Sequence, residues 1–489
     1  MAPAFLSKSR YLNGMQCLRY LWLVVNDPDK VPAPDAQTKH LFDQGHLVQQ
    51  YAEKLFPGGV RMPESTFKQS VQLTTRLLTQ GQPFFEAGIL ADDVYSRIDV
   101  FRPADGGLWD IIEVKSSTRV KDENVHDVSF QKFCCDRRRI GINRCYLMHI
   151  NNRYVKQGDI DPNSLFTIED VSDGVAEVSK GIEARVHAMI EAMASKVCPD
   201  SRVGPHCSDP YDCPVTLCRE ALPENNVLEL YRGSSKAFGL LNEGIRFLRE
   251  IPDSVKLTEA QLRQKWCDSN SCAYVDTSAI AAFVKSLKYP VHYLDFETFS
   301  TAVPLLDGTR PYQQVPFQFS LHVVDKPGAM AWPAGYLAEG PADPRPRFFE
   351  ELRKAIGDKG SIVVYNQKFE EGIIQDLGKA FPEYGEWVSR VIPRMVDLLD
   401  PFRNFSYYHP AQKGSASIKS VMPSLTGRGY DDLEISIGDQ ASLAYLDMTY
   451  GEMPADQKAK TRIALQEYCG RDTLGMIWIV EKLRELSSA

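Results

Sequence analysis

The stretch at residues 290–300, PVHYLDFETFS, constrains this chain more than any other. Val291, Tyr293 and Phe296 favour a strand, and the two-residue period of a strand sends Asp295 and Glu297 to one face. Two carboxylates side by side on an otherwise apolar strand repel each other and lose hydration, a cost that a bound cation offsets. Oxygen-rich sites of this kind suit Mg²⁺ or Mn²⁺. A strand end carrying two solvated acids has the same spacing, so the remainder of the chain must separate the two.

A chain of 489 residues exceeds what one core holds, and two or three domains are expected. Its 43% hydrophobic and 25% charged residues, without repeats or low-complexity tracts, mark a globular chain. No run approaches the roughly 18 apolar residues of a membrane span. The start, MAPAFLSKSRYLNG, lacks the apolar core of a signal peptide, so a cytoplasmic location is expected. In a reducing compartment the 11 cysteines fit a metal cluster or buried thiols better than disulfides. The formal net charge of -8 argues against indiscriminate coating of a duplex, yet it admits a nuclease whose clustered acids depress the total.

In the first half, LRYLWLVV and residues 35–55 have helical patterns. Alternating segments at 84–90, 95–101 and 108–117 predict a three-stranded meander, the last two strands joined at Ala104-Asp105-Gly106-Gly107. On the third strand, LWDIIEVKSS, Glu113 and Lys115 share a face, and Asp99 on the preceding strand can lie beside them. Two acids give metal ligands, and a lysine can orient or deprotonate water or neutralise charge at phosphorus. A cross-strand salt bridge would use the same residues. Residues 125–139, VHDVSFQKFCCDRRR, predict an amphipathic helix with Gln131 as a polar candidate. Lys132, Arg137, Arg138, Arg139 and Arg144, with Lys115, Arg119 and Lys121 nearby in sequence, form a basic patch suited to phosphate contacts.

Cys207, Cys213 and Cys218 fall in a Pro-rich loop, and Cys17 is a distant fourth thiol. Four thiolates suit a [4Fe–4S] cluster or, alternatively, a four-cysteine zinc site. The absence of C-x2-C pairs favours iron–sulfur; Cys198 and His206 rank lower as ligands. Asp99, Glu113-Val114-Lys115 and Gln131, with one early and three late cysteines, resemble the RecB/AddB-type iron–sulfur nucleases of the PD-(D/E)xK superfamily over residues 1–220. The resemblance implies a restriction-endonuclease-like core, Asp99 and Glu113 as metal ligands, and Lys115 as catalytic lysine. Glu86 matches an upstream acidic position of many such folds. Where the family often has a histidine ligand on its second helix, the spacing lands on Gln49, with His46 adjacent.

Residues 221–289 are mostly helical in pattern and read as a connector; Cys267 and Cys272 there read as plain thiols. Beyond 290, VPFQFSLHVV alternates as a strand, and residues 361–365 form an apolar strand running into Asn366-Gln367-Lys368-Phe369-Glu370, the start of a helix. An acid in that first turn lies at the C-terminal edge of a sheet, where α/β sites form. The last helix carries Tyr468 and Asp472 one turn apart on one face. Asp295, Glu297, Glu370 and Asp472 can together hold divalent ions, with Tyr468 placed to orient water. This half, residues 290–489, is similar to DnaQ-like 3′→5′ exonucleases of the RNase H-like fold, the subclass with tyrosine in its last motif. It departs from them at Glu370, where the family usually has aspartate.

The expectation is therefore a multi-domain α/β chain with two metal-dependent nuclease sites acting on DNA, with RNA a second possible substrate, in repair, recombination or defence against foreign DNA. A non-catalytic first domain that docks nucleic acid, and a non-catalytic iron–sulfur binding or redox-sensing protein, are the alternatives. No G-x4-G-K-[ST] loop is present, so unwinding would fall to a helicase partner.

Overall fold

The computed structural model describes residues 5–62 and 67–488; the first four residues of the stretch read for signal features lie outside it. The chain is a mixed α/β protein of two compact units, residues 1–221 with 301–313, and residues 222–300 with 314–489. Among the described residues no helix is long and apolar enough to cross a membrane.

The first unit is built on one mixed sheet. Its strands are β1 (Leu6–Ser7), β2 (Val60–Arg61), β3 (Phe84–Ala91), β4 (Val94–Pro103), β5 (Trp109–Lys115), β6 (Ile142–Ile150) and β7 (Phe166–Asp170), ordered β2-β3-β4-β5-β6-β7. β3, β4 and β5 form the antiparallel meander that their alternation predicts. The β4–β5 connection uses Gly106 and Gly107 at φ 69° and 76°, left-handed values that glycine adopts without strain. β5 pairs in parallel with β6, so it lies inside the sheet, and every β5 residue except Lys115 is buried. The helix Asp122–Arg137 makes the crossover and packs Val128, Phe130, Phe133 and Cys134 into a core with Ile98, Ile111 and Leu147. Each such large side chain contributes about 1.5–3 kcal/mol by leaving water. β1 takes the part of β4 that β5 leaves free, pairing Leu6 with Val94 and Ser7 with Tyr95, whereas β5 pairs with Val100–Pro103. Ser7 then caps the helix Lys8–Gln16 by accepting from the Arg10 amide.

The second unit contains β8 (Tyr274–Val275), β9 (Val291–Phe299), β10 (Val315–Val324), β11 (Trp332–Leu337), β12 (Ile362–Val364), β13 (Met395–Asp397) and β14 (Tyr407–Tyr408). The sheet order is β11-β10-β9-β12-β13, antiparallel through β9–β11 and parallel from β9 to β13. Gly360, at φ 86°, lets β12 start beside β9: a Cβ there would lie 1.8 Å from the Pro290 carbonyl oxygen. The helix Ala455–Ser488 lies over β9 and β10. Gln318 Nε2 donates to the Leu465 carbonyl at 2.8 Å, and Ser320 and His322 each meet Thr473 Oγ1 at 2.8 Å. Residues 221–289, which read as a connector, fold almost entirely with this unit, and β8 pairs with β14. The polar loop 301–313 between β9 and β10 instead belongs to the first unit.

Candidate active sites

In the second unit, strand alternation and helix periodicity bring four acids to one cavity. β9 supplies Asp295 and Glu297, the first turn of the helix Gln367–Ala380 supplies Glu370, and the helix Ala455–Ser488 supplies Asp472 and Tyr468. All five line a cavity of about 400 Å³. One ligand atom each from Asp295, Glu297 and Cys469 lie within 4.8 Å of one another. β12 runs parallel to β9, so the chain leaves it at the same sheet edge. Asn366 turns there with φ 80°, its amide donating to Asp397 Oδ1 at 2.9 Å, and starts the helix that carries Glu370. Asp397 also accepts from Leu399 N and Arg403, which makes it the strut of this turn.

The electrostatics are those of crowded acids. Burial, then the charge of Asp472, pushes the Asp295 carboxyl well above its usual range; burial and Asp295 do the same to Glu297 and Glu370. Burial raises Asp472 to about 6, against the lowering effect of the Tyr430 hydroxyl, which donates to it, and of Lys419. Glu370 Oε2 is buried and has no hydrogen-bond partner among the described residues. An orphaned carboxylate oxygen at a cavity that Asp295, Glu297, Asp439 and Asp472 also line is what a hard divalent cation would satisfy. Glu370 and Asp472 line the cavity but are not among the ligand atoms that lie within 4.8 Å of one another, which come from Asp295, Glu297 and Cys469.

Lys419, Tyr430 and Cys469 complete the site and carried no signal in the sequence. Lys419 Nζ donates to the Tyr468 hydroxyl at 2.8 Å and to the Ser436 carbonyl at 2.7 Å. Burial lowers its pKa while Asp472 and Glu297 oppose that shift. Its neighbours GSAS show neither periodicity nor a charge pattern.

In the first unit the β4–β5 ladder stops at Val100–Ile112, and the Asp99 carboxylate takes the next amide, Val114 N, at 2.8 Å. Asp99, Glu113 and Lys115 are thereby brought to one place. The helix Asp122–Arg137 adds Gln131, donating to Glu113 at 2.5 Å, and Asp127, which the sequence reading missed. Asp127 lies one turn before Gln131 on the same helix face, a spacing that could have found it. Lys115 Nζ lies 2.6 Å from both Glu113 Oε1 and Asp127 Oδ2. A second lysine, Lys8, reaches Glu113 at 2.9 Å and Asp99 and Asp127 at 3.8 Å. Burial, then the Glu113 charge, raises Asp99 to about 8. Burial alone would raise Glu113 too, but Lys115 and Lys8 outweigh it and hold that carboxyl low. Burial opposes the charge on Lys115, yet Asp127 and Glu113 prevail and raise its pKa, so it is a firm cation.

Other expected residues lie apart. Glu86 faces Arg97 at 2.7 Å and accepts from Gln49, while His46 is exposed. Part of the basic patch goes into local ion pairs, Lys132 with Asp136, Arg137 with Glu183 and Arg144 with Asp170, because these three side chains find a nearer carboxylate.

Cys17, Cys207, Cys213 and Cys218 line a single pocket, together with His206. Burial raises the Cys213 thiol and the Val215 amide, bonded to its sulfur, lowers it; Cys207, Cys17 and Cys218 act on it in turn. All four thiols are free. No three of these sulfurs lie within 4.8 Å of one another.

Residues 292–417 match the family described as a domain of unknown function, DUF2779. The matched stretch holds Asp295, Glu297 and Glu370 and stops before Lys419, Tyr468 and Asp472. The chain is 28% identical over 215 residues to an uncharacterized protein of Mycoplasma pneumoniae, covering 40% of this chain and 32% of that one. It is 26% identical over 219 residues to an uncharacterized protein of Mycoplasma genitalium, covering 41% and 33%. It is 32% identical over 158 residues to an uncharacterized protein of Ureaplasma parvum, covering 30% and 22%. The chain thus matches a third or less of the length of these relatives.

Proposed function

We propose that this chain is a metal-dependent nuclease with two hydrolytic sites: a PD-(D/E)xK-type site in the first unit, similar to RecB/AddB nucleases, and a DnaQ-like 3′→5′ exonuclease site in the second. The observation that carries the reading is the gathering of Asp295, Glu297, Glu370 and Asp472 at one cavity with an orphaned carboxylate oxygen. Those four residues would hold Mg²⁺ or Mn²⁺ in the second unit; Asp99 and Glu113 would do so in the first. When bound, such ions polarise phosphoryl oxygens and make bound water acidic.

The protein's own groups do the rest. In the second unit Tyr468 holds its hydroxyl at the cavity, fixed by Lys419, and orients the attacking water. In the first, Lys115 is held charged by Asp127 and Glu113, so its task is to neutralise charge at phosphorus rather than to abstract a proton. Gln131 and Asp127 hold Glu113 and Lys115 in place. The cysteine quartet would hold a [4Fe–4S] cluster that ties the start of the unit to its end. DNA is the proposed substrate class, in the cytoplasm and in repair, recombination or defence, with a helicase partner to open duplexes.

The test uses labelled single-stranded DNA and RNA with Mg²⁺ or Mn²⁺, reading product lengths over time. Lys115→Ala and Asp295→Ala should each remove a separable activity. If only Asp295→Ala matters, the first unit is a docking module; if neither matters, the proposal fails.

A further inference from the structure

The first unit has a basic pocket beside its candidate site that neither the acidic cavity nor the cysteine quartet uses. Its volume is about 420 Å³, and none of its lining residues is acidic. Arg119 and Lys121 come from the loop that follows β5, and Arg310 comes from the 301–313 loop. The loop from β5 begins at Ser116, directly after Lys115, so the pocket opens where the candidate catalytic lysine ends its strand.

The 301–313 loop is held firmly against this unit. Ala302 and Val303 are buried in a cluster with Ile112, Val114 and Met148. Gln44 Oε1 accepts from the Ala302 amide at 3.0 Å, Lys156 N donates to the Thr309 carbonyl at 3.0 Å, and Lys156 Nζ bonds Asp307 at 2.6 Å. Tyr312 adopts φ 60°, a left-handed conformation that costs a non-glycine residue about 1–2 kcal/mol, and its hydroxyl donates to the Ser116 carbonyl. Arg310 and Arg119 line the same pocket as Tyr312.

The pocket gathers cations, two of which have no carboxylate partner among the described residues. Lys132, Arg137 and Arg144 all find carboxylates, and Lys121 reaches Glu123 at 3.5 Å. Arg119 and Arg310 make no ion pair among the described residues. Guanidinium groups have the fork geometry that phosphate diesters accept, and the half-exposed Tyr312 ring offers a face on which a base can stack. A cavity of about 420 Å³ is of the size that takes a ligand as large as a nucleotide rather than a lone ion.

We propose that Arg119, Lys121 and Arg310 form the subsite that grips the phosphodiester backbone of a nucleic-acid strand entering the Glu113–Lys115 site. The loop between β9 and β10 is then a working part of the first unit. The inference rests on the nuclease reading of that site, but its test does not depend on cleavage.

The full chain is titrated into a fluorescently labelled single-stranded 20-mer, as DNA and as RNA, in EDTA at several salt concentrations. Arg119→Ala combined with Arg310→Ala should raise Kd tenfold or more. It should also shrink the slope of log affinity against log salt by about 1.4, since each lost contact to a single strand removes about 0.7. Arg310→Lys should keep the wild-type slope, and unchanged Tm values would show that the variants fold. Unchanged Kd and slope in the double variant overturn the proposal, as does equal competition by inorganic phosphate at the strand's own concentration, which would make the pocket a simple anion site. If the double variant loses binding while Lys115→Ala leaves cleavage intact, the subsite stands and the catalytic reading of the first unit falls.

Discussion

Glu297→Gln gives the second site its sharpest test, because two readings of the cavity predict opposite signs. Glu297 is 7% exposed, and one of its oxygens lies within 4.8 Å of an Asp295 oxygen. At an effective dielectric near 20, two full charges at that separation repel by about 3.5 kcal/mol. Burial already raises both carboxyls, so part of that repulsion is relieved by bound protons. Removing one charge at pH 8 should leave a gain of about 1–2 kcal/mol, or roughly 2–8 °C in the melting of a unit this size. In EDTA the variant should therefore melt higher than wild type. With Mg²⁺ the order should reverse: a ligand at a hundred times its Kd adds about 2.7 kcal/mol to wild type, and the variant should gain little. Scanning calorimetry of the full chain, with and without Mg²⁺, reads both numbers. A variant that melts lower in EDTA and keeps the full Mg²⁺ shift would refute the argument, since Glu297 would then be a structural carboxylate.

Two further predictions follow from other parts of the molecule. Cys213→Ser should abolish the broad visible absorption and bound iron of an anaerobic preparation and destabilise the first unit by at least about 3 kcal/mol, because lost cluster binding is lost folding energy; stoichiometric zinc in a colourless wild-type protein would contradict this. Burial, then the Arg394 charge, lowers the pKa of His292, and burial lowers that of His322, so the fold prefers both neutral. The unfolded chain takes up these protons as pH falls through about 6.5, so each histidine contributes a loss of up to about 1.4 kcal/mol per pH unit below it, while the raised carboxyls of Asp295, Glu297, Glu370 and Asp472 take up protons in the fold and oppose that loss. Wild type should therefore lose melting temperature relative to the His292→Gln/His322→Gln variant as pH falls from 7 to 5.5, and a difference between the two that does not change with pH would count against the two histidines.

Much of the fold could be read from alternation and punctuation. The β3–β5 meander, the strand carrying Asp295 and Glu297, and the strand-to-helix step into Glu370 all rest on periodicity within ten or so residues, which local sequence encodes directly. What escaped was assembled over long range. Lys8 reaches its site because the two-residue β1 pairs with Val94 and Tyr95, a contact too short to leave any pattern. Lys419 and Tyr430 come from loop-rich sequence and acquire meaning only against the last helix. The partial dispersal of the basic patch shows the reverse error: proximity in sequence cannot say which carboxylate each cation will find. The departure of residues 301–313 from the strands that flank them was invisible for a similar reason, since Ala302 and Val303 look like any short apolar pair until their burial partners are known.

The two sites answer the same electrostatic difficulty with different charge counts. In the first unit two lysines stand among three carboxylates, and Glu113 stays ionised even though it is 1% exposed. One divalent cation would more than neutralise what is left, so this site can persist without metal and would use a cation for chemistry. In the second unit one half-buried lysine stands against five carboxylates, four of them (Asp295, Glu297, Glu370 and Asp472) raised above their usual range and one with an unpartnered oxygen. Left alone, that arrangement is eased only by taking up protons. Cations would therefore serve the second site twice, in folding and in catalysis. Chelation should soften the second unit while leaving the carboxylates and lysines of the first undisturbed, a difference that follows from counting charges within each unit.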